Sequence, residues 1–175
     1  GAMFTNPGGP GGSGLIFSLY FELNEPDLAT SYDLYGIDPR GVGDSIPALQ
    51  CADPSILDRL YNLDGRDTSA TNQRRFLDLN KQYAAACTSN PLTRHIKTDN
   101  VARDFDLIRA VIGEQKISYI GYSAGTWLGT WYAALFPKRV DRFVLDGNLD
   151  WTSNGYESAV RQPRGFQDSF EKFLQ

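Results

Sequence analysis

Two spacings of apolar residues alternate along the chain. Leu15, Ile16, Leu19, Tyr20 and Leu23 recur at the three- and four-residue intervals of a helix. Tyr32 to Ile37 is instead a short β-prone run, closed by the turn formers Asp38-Pro39-Arg40-Gly41-Val42-Gly43-Asp44-Ser45. Positions 46–72 show little periodicity and read as an irregular excursion with short helices. Phe76, Leu79, Tyr83 and Cys87 then mark a helix over Gln73–Cys87. Asp99 offers an N-cap for a further helix, whose apolar stripe is Val101, Phe105, Ile108 and Ile112.

The second half repeats the alternation more sharply. Ile117-Ser118-Tyr119-Ile120 is a β-prone run bounded by Gly113 and Gly121. Trp127, Leu128, Trp131, Tyr132 and Leu135 return to helical spacing, and the helix should stop at Phe136, because the residue before Pro137 is pushed out of the helical region. Phe143-Val144-Leu145-Asp146-Gly147 reads as a second buried strand ending in a turn. Strand, helix and strand in this order predict a βαβ unit, hence an α/β fold with a mostly parallel sheet flanked by helices.

Composition narrows the setting. The chain has 175 residues, 41% of them hydrophobic, enough for one domain with a real core. A net charge of −4 with interspersed signs gives no nucleic-acid footprint and no basic stripe for a membrane surface. No apolar run approaches the length of a membrane span. Gly1-Ala2-Met3 resembles the scar left when a protease removes an expression tag, so the natural N-terminus is expected to be missing. Cys51 and Cys87 lack any C-x-x-C spacing. They can be a disulfide in an oxidising compartment or two buried thiols, and their positions alone leave both open. Nothing calls for a metal or an organic cofactor.

The candidate chemistry lies at two glycine-rich segments. Gly121-Tyr122-Ser123-Ala124-Gly125 puts Ser123 on the sharp turn between strand and helix, the arrangement of a nucleophile elbow. The turn needs small neighbours, pushes the hydroxyl above the sheet and leaves the following N–H free to meet a carbonyl. Asn6-Pro7-Gly8-Gly9-Pro10-Gly11-Gly12-Ser13-Gly14 could be a flexible linker, but a helix follows at once. Glycines before a helix let backbone N–H groups face a negative oxygen. The Asp38–Ser45 turn has a structural reading, with Arg40 paired to a neighbouring carboxylate.

The Pro-Gly-Gly-Pro-Gly loop, the Asp-Pro-Arg-Gly-Val-Gly-Asp-Ser turn and the Gly-Tyr-Ser-Ala-Gly elbow stand in a familiar order. So does Leu135-Phe136-Pro137-Lys138-Arg139-Val140 leading into Val144-Leu145-Asp146-Gly147. From Asn6 to about Gln175 the chain resembles the secreted bacterial tripeptidyl aminopeptidases, relatives of proline iminopeptidase with the α/β-hydrolase fold. The resemblance implies a secreted serine exopeptidase that releases short peptides from substrates with a free N-terminus. Ser123 matches its nucleophile, and the backbone N–H groups of Gly9 and Ala124 its oxyanion hole. Cys51 and Cys87 fall where these enzymes carry a disulfide. Residues 4–150 correspond to the central part of the catalytic domain and 151–175 to the start of a helical cap. In that cap Glu157, Asp168 and Glu171 could hold a substrate ammonium, or simply form a solvated helix face.

The chain also departs from the pattern. The acid and histidine of such a triad follow the serine, whereas the one histidine, His95, precedes it and reads as a surface or capping residue. Asp146 stands where a minority of these hydrolases place their acid, and reads otherwise as a turn former. Only Phe4 and Thr5 are expected to represent the strand feeding the glycine loop. The expectation is an incomplete α/β-hydrolase with exposed sheet edges, whose triad acid and histidine come from a missing C-terminal part or a second polypeptide. Two other readings stay open: an esterase or lipase-like hydrolase on the same scaffold, and an inactive fragment or interaction module.

Overall fold

The computed structural model describes residues 1–150 and 152–175; position 151, where the cap is expected to start, lies outside the described residues. Four strands of the described residues form one parallel sheet: β1 (Ala2–Asn6), β2 (Asp33–Gly36), β3 (Ile117–Tyr122) and β4 (Val140–Asp146), in the order β2-β1-β3-β4. Among the described residues seven α-helices accompany them: α1 (Gly14–Asn24), α2 (Pro26–Ser31), α3 (Pro54–Tyr61), α4 (Ala70–Ser89), α5 (Thr98–Val111), α6 (Ala124–Leu135) and α7 (Gly155–Phe173).

The central strand β1 is buried along its whole length, because a parallel sheet is covered on both faces. It is longer than the expected Phe4 and Thr5: Ala2 and Met3 also belong to the strand and are core residues. On one face Phe4, Val101, Phe105, Ile117, Tyr119 and Tyr132 form the larger core, packed beneath α5 and α6. The Phe4 and Phe105 rings meet edge-on with centroids 5.7 Å apart, and burying each is worth about 2–3 kcal/mol. The entire expected stripe of α5 reaches this core, with Ile108 and Ile112 at its margin. On the other face Met3, Phe21 and Ile120 make a smaller core against α1 and α2.

Three local expectations change. Asp99 is not the cap of α5: the cap position is Lys97, without a side-chain bond, and Asp99 lies in the first turn, where its charge favours the helix dipole. Strand β4 is not buried. It has one strand neighbour among the described residues, and Val144 is 55% exposed, since an apolar run does not reveal which strand of a sheet forms its edge. The stripe predicted for α4 buries only Leu79.

From β1 the chain moves outward to β2, then crosses back to β3 on the other side. Neighbouring strands whose connections leave in opposite directions open a crevice at their carboxyl ends. Here that crevice lies between β1 and β3, whose register sets Asn6 against Gly121.

Candidate active site

Both glycine-rich segments start from that crevice. The chain leaves β1 in an Asx turn: the Asn6 side-chain oxygen accepts from the Gly8 N–H at 2.9 Å, around Pro7. The Gly12 N–H returns to the Gly8 carbonyl at 3.0 Å, which closes the loop. Ser13 then caps α1, accepting from the Ile16 N–H.

The far end of the loop is tied to the Asp38–Ser45 turn. The buried Asp38 carboxylate accepts from the Ser13 hydroxyl (2.7 Å), the Asp44 N–H (2.9 Å) and the Leu15 N–H (3.3 Å). Burial acts to raise this carboxyl, but the hydrogen bonds from Asp44, Ser13, Leu15 and Gly14 outweigh it and hold it below its ordinary range. Arg40, as expected, pairs with a carboxylate: its guanidinium forks both oxygens of Asp104 on α5.

Ser123 follows β3 directly and is exposed. Its backbone, at φ 51° and ψ −121°, is the only non-glycine positive φ among the described residues. Such a conformation costs on the order of 1–3 kcal/mol and must be held by its surroundings. Its N–H donates to the Asp146 carbonyl at 2.9 Å, and its carbonyl accepts from the Thr126 N–H (2.9 Å) and hydroxyl (2.6 Å). Thr126 is fully buried, and its hydroxyl oxygen accepts in turn from the Leu149 N–H.

The two segments touch through their backbones. A Cβ on Gly8 would lie 2.3 Å from the Tyr122 carbonyl oxygen and 2.7 Å from the Ala124 nitrogen, and Gly8 itself has φ 86°. A Cβ on Gly125 would lie 2.6 Å from the Asn6 carbonyl oxygen. Only glycine fits either place. Among the described residues, neither the Gly9 N–H nor the Ala124 N–H has an intramolecular acceptor.

The remaining candidates lie elsewhere or are already engaged. His95 is exposed in a short turn (Pro91–His95), and what it contributes is its carbonyl, which accepts from Arg40 and Asn100. Asp146 is exposed at the end of β4. After burial, its charge is the next cause that raises the Tyr122 phenol. Glu157 is occupied by the capping box of α7, and Glu171 accepts from Gln167. Asp168 is exposed. Cys51 and Cys87 are joined in a disulfide that ties the excursion to α4. Among the described residues, no group of His, Cys, Asp and Glu is placed to hold a metal ion, and no helix is long and apolar enough to cross a membrane.

Sequence reasoning left three supporting residues without a role: Asn6, Asp38 and Thr126. The Asn-Pro-Gly run was a readable signal for the first, as an Asx turn around a proline. Nothing local marked the other two, whose partners are distant in sequence.

A family model described as the alpha/beta hydrolase fold matches residues 1–175, and the chain belongs to that family. It is 38% identical over 177 residues to serine protease Hip1 of Mycobacterium tuberculosis (strain ATCC 25618 / H37Rv), covering 99% of this chain and 34% of that protein. It is 42% identical over 151 residues to a tripeptidyl aminopeptidase of Streptomyces lividans, covering 83% of this chain and 28% of the relative. A carboxylesterase B of Mycobacterium tuberculosis (strain CDC 1551 / Oshkosh) is 35% identical over 178 residues, 99% of this chain and 34% of that protein. The chain thus spans about a third of the length of the curated relatives it matches.

Proposed function

We propose that this α/β-hydrolase cuts peptide bonds by acyl transfer to Ser123, as a tripeptidyl-aminopeptidase-like exopeptidase acting on substrates with a free N-terminus. The observation that carries the reading is the strained Ser123 backbone, held exposed at the carboxyl end of β3 with Gly8 packed against the Ala124 nitrogen. A serine kept in a costly conformation at a crevice needs a reason beyond helix capping, and Ser123 makes no side-chain cap bond to α6.

In this mechanism the Ser123 hydroxyl loses its proton to a histidine and attacks the scissile carbonyl. The carbonyl oxygen becomes negative only then, and the unpaired N–H groups of Ala124 and Gly9 are suited to receive it. One such donor is typically worth about 2.7–4 kcal/mol in the transition state. The histidine next protonates the leaving amine, and water releases the acyl peptide from Ser123. His95 is exposed in the turn before α5 and precedes Ser123 in the chain, against the serine-acid-histidine order, so the proposed histidine and acid come from outside these 175 residues, in a C-terminal part or a second polypeptide. Residues 4–150 then serve as the central part of the catalytic domain and 151–175 as the start of its cap. The Cys51–Cys87 bridge favours a secreted protein, because such bonds persist in oxidising compartments.

A fluorophosphonate probe should label Ser123 in the full-length protein and fail to label a Ser123→Ala variant; equal labelling of both would overturn the nucleophile. A second reading, an ester hydrolase on the same machinery, is favoured by the resemblance to carboxylesterase B. Rates on a peptide amide with a free N-terminus, its acetylated counterpart and a simple ester separate the two. Indifference to acetylation with a fast ester would select the second.

A further inference from the structure

We infer that Asn6 is a positioning residue for the reaction: its carboxamide sets the gap between the glycine loop and the serine turn, and so the separation of the Gly9 and Ala124 amides. The inference rests on the acyl-transfer reading above and adds to it a residue that never touches the substrate.

Asn6 is 5% exposed and is the last residue of β1, beside Gly121 of β3. Its side-chain oxygen holds the Gly8 N–H at 2.9 Å. The same oxygen would stand 2.8 Å from a Cβ on Gly125, and the Asn6 carbonyl oxygen 2.6 Å from it. One residue is therefore wedged between the backbones of both segments. Gly8 is the residue pressed onto the Ala124 nitrogen, so the side chain that fixes Gly8 also fixes the distance across the site.

The bond has a second effect. It consumes the Gly8 N–H, which leaves Gly9 as the next amide of the loop without an intramolecular acceptor among the described residues. Pro7 removes a torsion between the two ends of the Asx turn, so little freedom remains once the bond is made. The choice of amide over acid also has a physical reason. A carboxylate could accept the same N–H, but its charge would lie buried beside an oxygen that becomes negative during the reaction, and a neutral acceptor avoids that repulsion.

The test uses the full-length protein, with wild type, Asn6→Ala, Asn6→Ser and Ser123→Ala. Peptide hydrolysis is followed as kcat and KM, binding of a peptide boronate reports the tetrahedral state, and Tm reports folding. Asn6→Ala should lower kcat at least about tenfold, short of the roughly 100- to 1000-fold seen when an oxyanion donor is removed outright, with KM held within about threefold. Boronate affinity should fall in the same proportion as kcat. Asn6→Ser, whose hydroxyl can still accept from the Gly8 N–H, should recover part of both. Unchanged kcat in folded Asn6→Ala would overturn the inference, as would a loss that tracks only the folded fraction, or equal losses in both Asn6 variants. If Ser123→Ala keeps wild-type hydrolysis, the acyl-transfer reading falls and this inference with it. Activity lost in Ser123→Ala but unaltered by either Asn6 change would sink the inference alone.

Discussion

The Ser13 hydroxyl donates a 2.7 Å hydrogen bond to the Asp38 carboxylate across a separation of 25 residues. That bond joins the exit of the glycine loop to the turn after β2. With the Leu15 and Asp44 amides on the same carboxylate, one buried anion holds the start of α1 and the turn together.

The anion makes the fold sensitive to acid. The Asp38 carboxyl lies below its ordinary value in the folded chain, despite burial, because its donors favour the charged form. Its contribution is therefore present above the unfolded value of about 4 and lost as pH falls through the lower folded value. Urea midpoints should fall steadily below about pH 4. Asp38→Asn should cost about 1–3 kcal/mol at pH 7 and flatten that acid slope. Some slope should survive, since Arg109, acting against burial, likewise holds Asp106 below the usual range. An unchanged slope in Asp38→Asn would remove Asp38 from this account.

Ser123 separates stability from reactivity. Glycine relieves the positive φ but adds backbone freedom to the unfolded chain, whereas alanine keeps the strain. Ser123→Gly should be about 1 kcal/mol more stable than wild type, and Ser123→Ala close to wild type. Neither should react with a fluorophosphonate. Chemical denaturation of the three proteins checks the order, and a less stable glycine variant would show that the strain relieved is smaller than the freedom glycine adds to the unfolded chain.

What the sequence disclosed and what it hid divide along physical lines. The β3–Ser123–α6 unit was legible because turn glycines, a β-prone run and helical spacing agree there, and Pro137 ends the helix as expected. Helix α1 was legible as a helix but not by face: Leu15, Ile16, Leu19, Tyr20 and Leu23 stay exposed, while Phe17 and Phe21 meet the sheet. Its sequence is apolar almost all round, so period alone could not choose a side. The disulfide came from resemblance, since two cysteines admit one pairing but do not by themselves show whether the bond forms. Asn6, Asp38 and Thr126 act through backbone groups that only the folded chain brings near, which local spacing cannot show.

The Cys51–Cys87 bridge should matter most for the excursion it closes. Helices α3 and α4 pack mainly on each other, and Leu79 is the only buried residue they contribute. With a sequence separation of 36 between the cysteines, the cross-link restricts the unfolded chain by an amount worth about 4 kcal/mol at most. Replacing both cysteines with alanine should speed amide exchange across residues 54–89 first, while β3 stays protected. Uniform loss of protection in both regions would mean that the excursion and the sheet unfold as one unit.

Thr5 offers a test of the core. It is fully buried in β1, and its hydroxyl is the one buried side-chain polar atom without a hydrogen-bond partner among the described residues. Valine has nearly the same shape and no oxygen to desolvate. Exchanging an unsatisfied buried hydroxyl for a methyl group removes a penalty without opening a cavity. Thr5→Val should therefore stabilise the fold by about 1 kcal/mol, whereas Thr5→Ala should destabilise it by leaving a void. A loss of stability in Thr5→Val, measured by urea denaturation, would mean that the hydroxyl has a partner. That result would bear on the site as well, because Thr5 precedes Asn6 on the strand that delivers the glycine loop to Ser123.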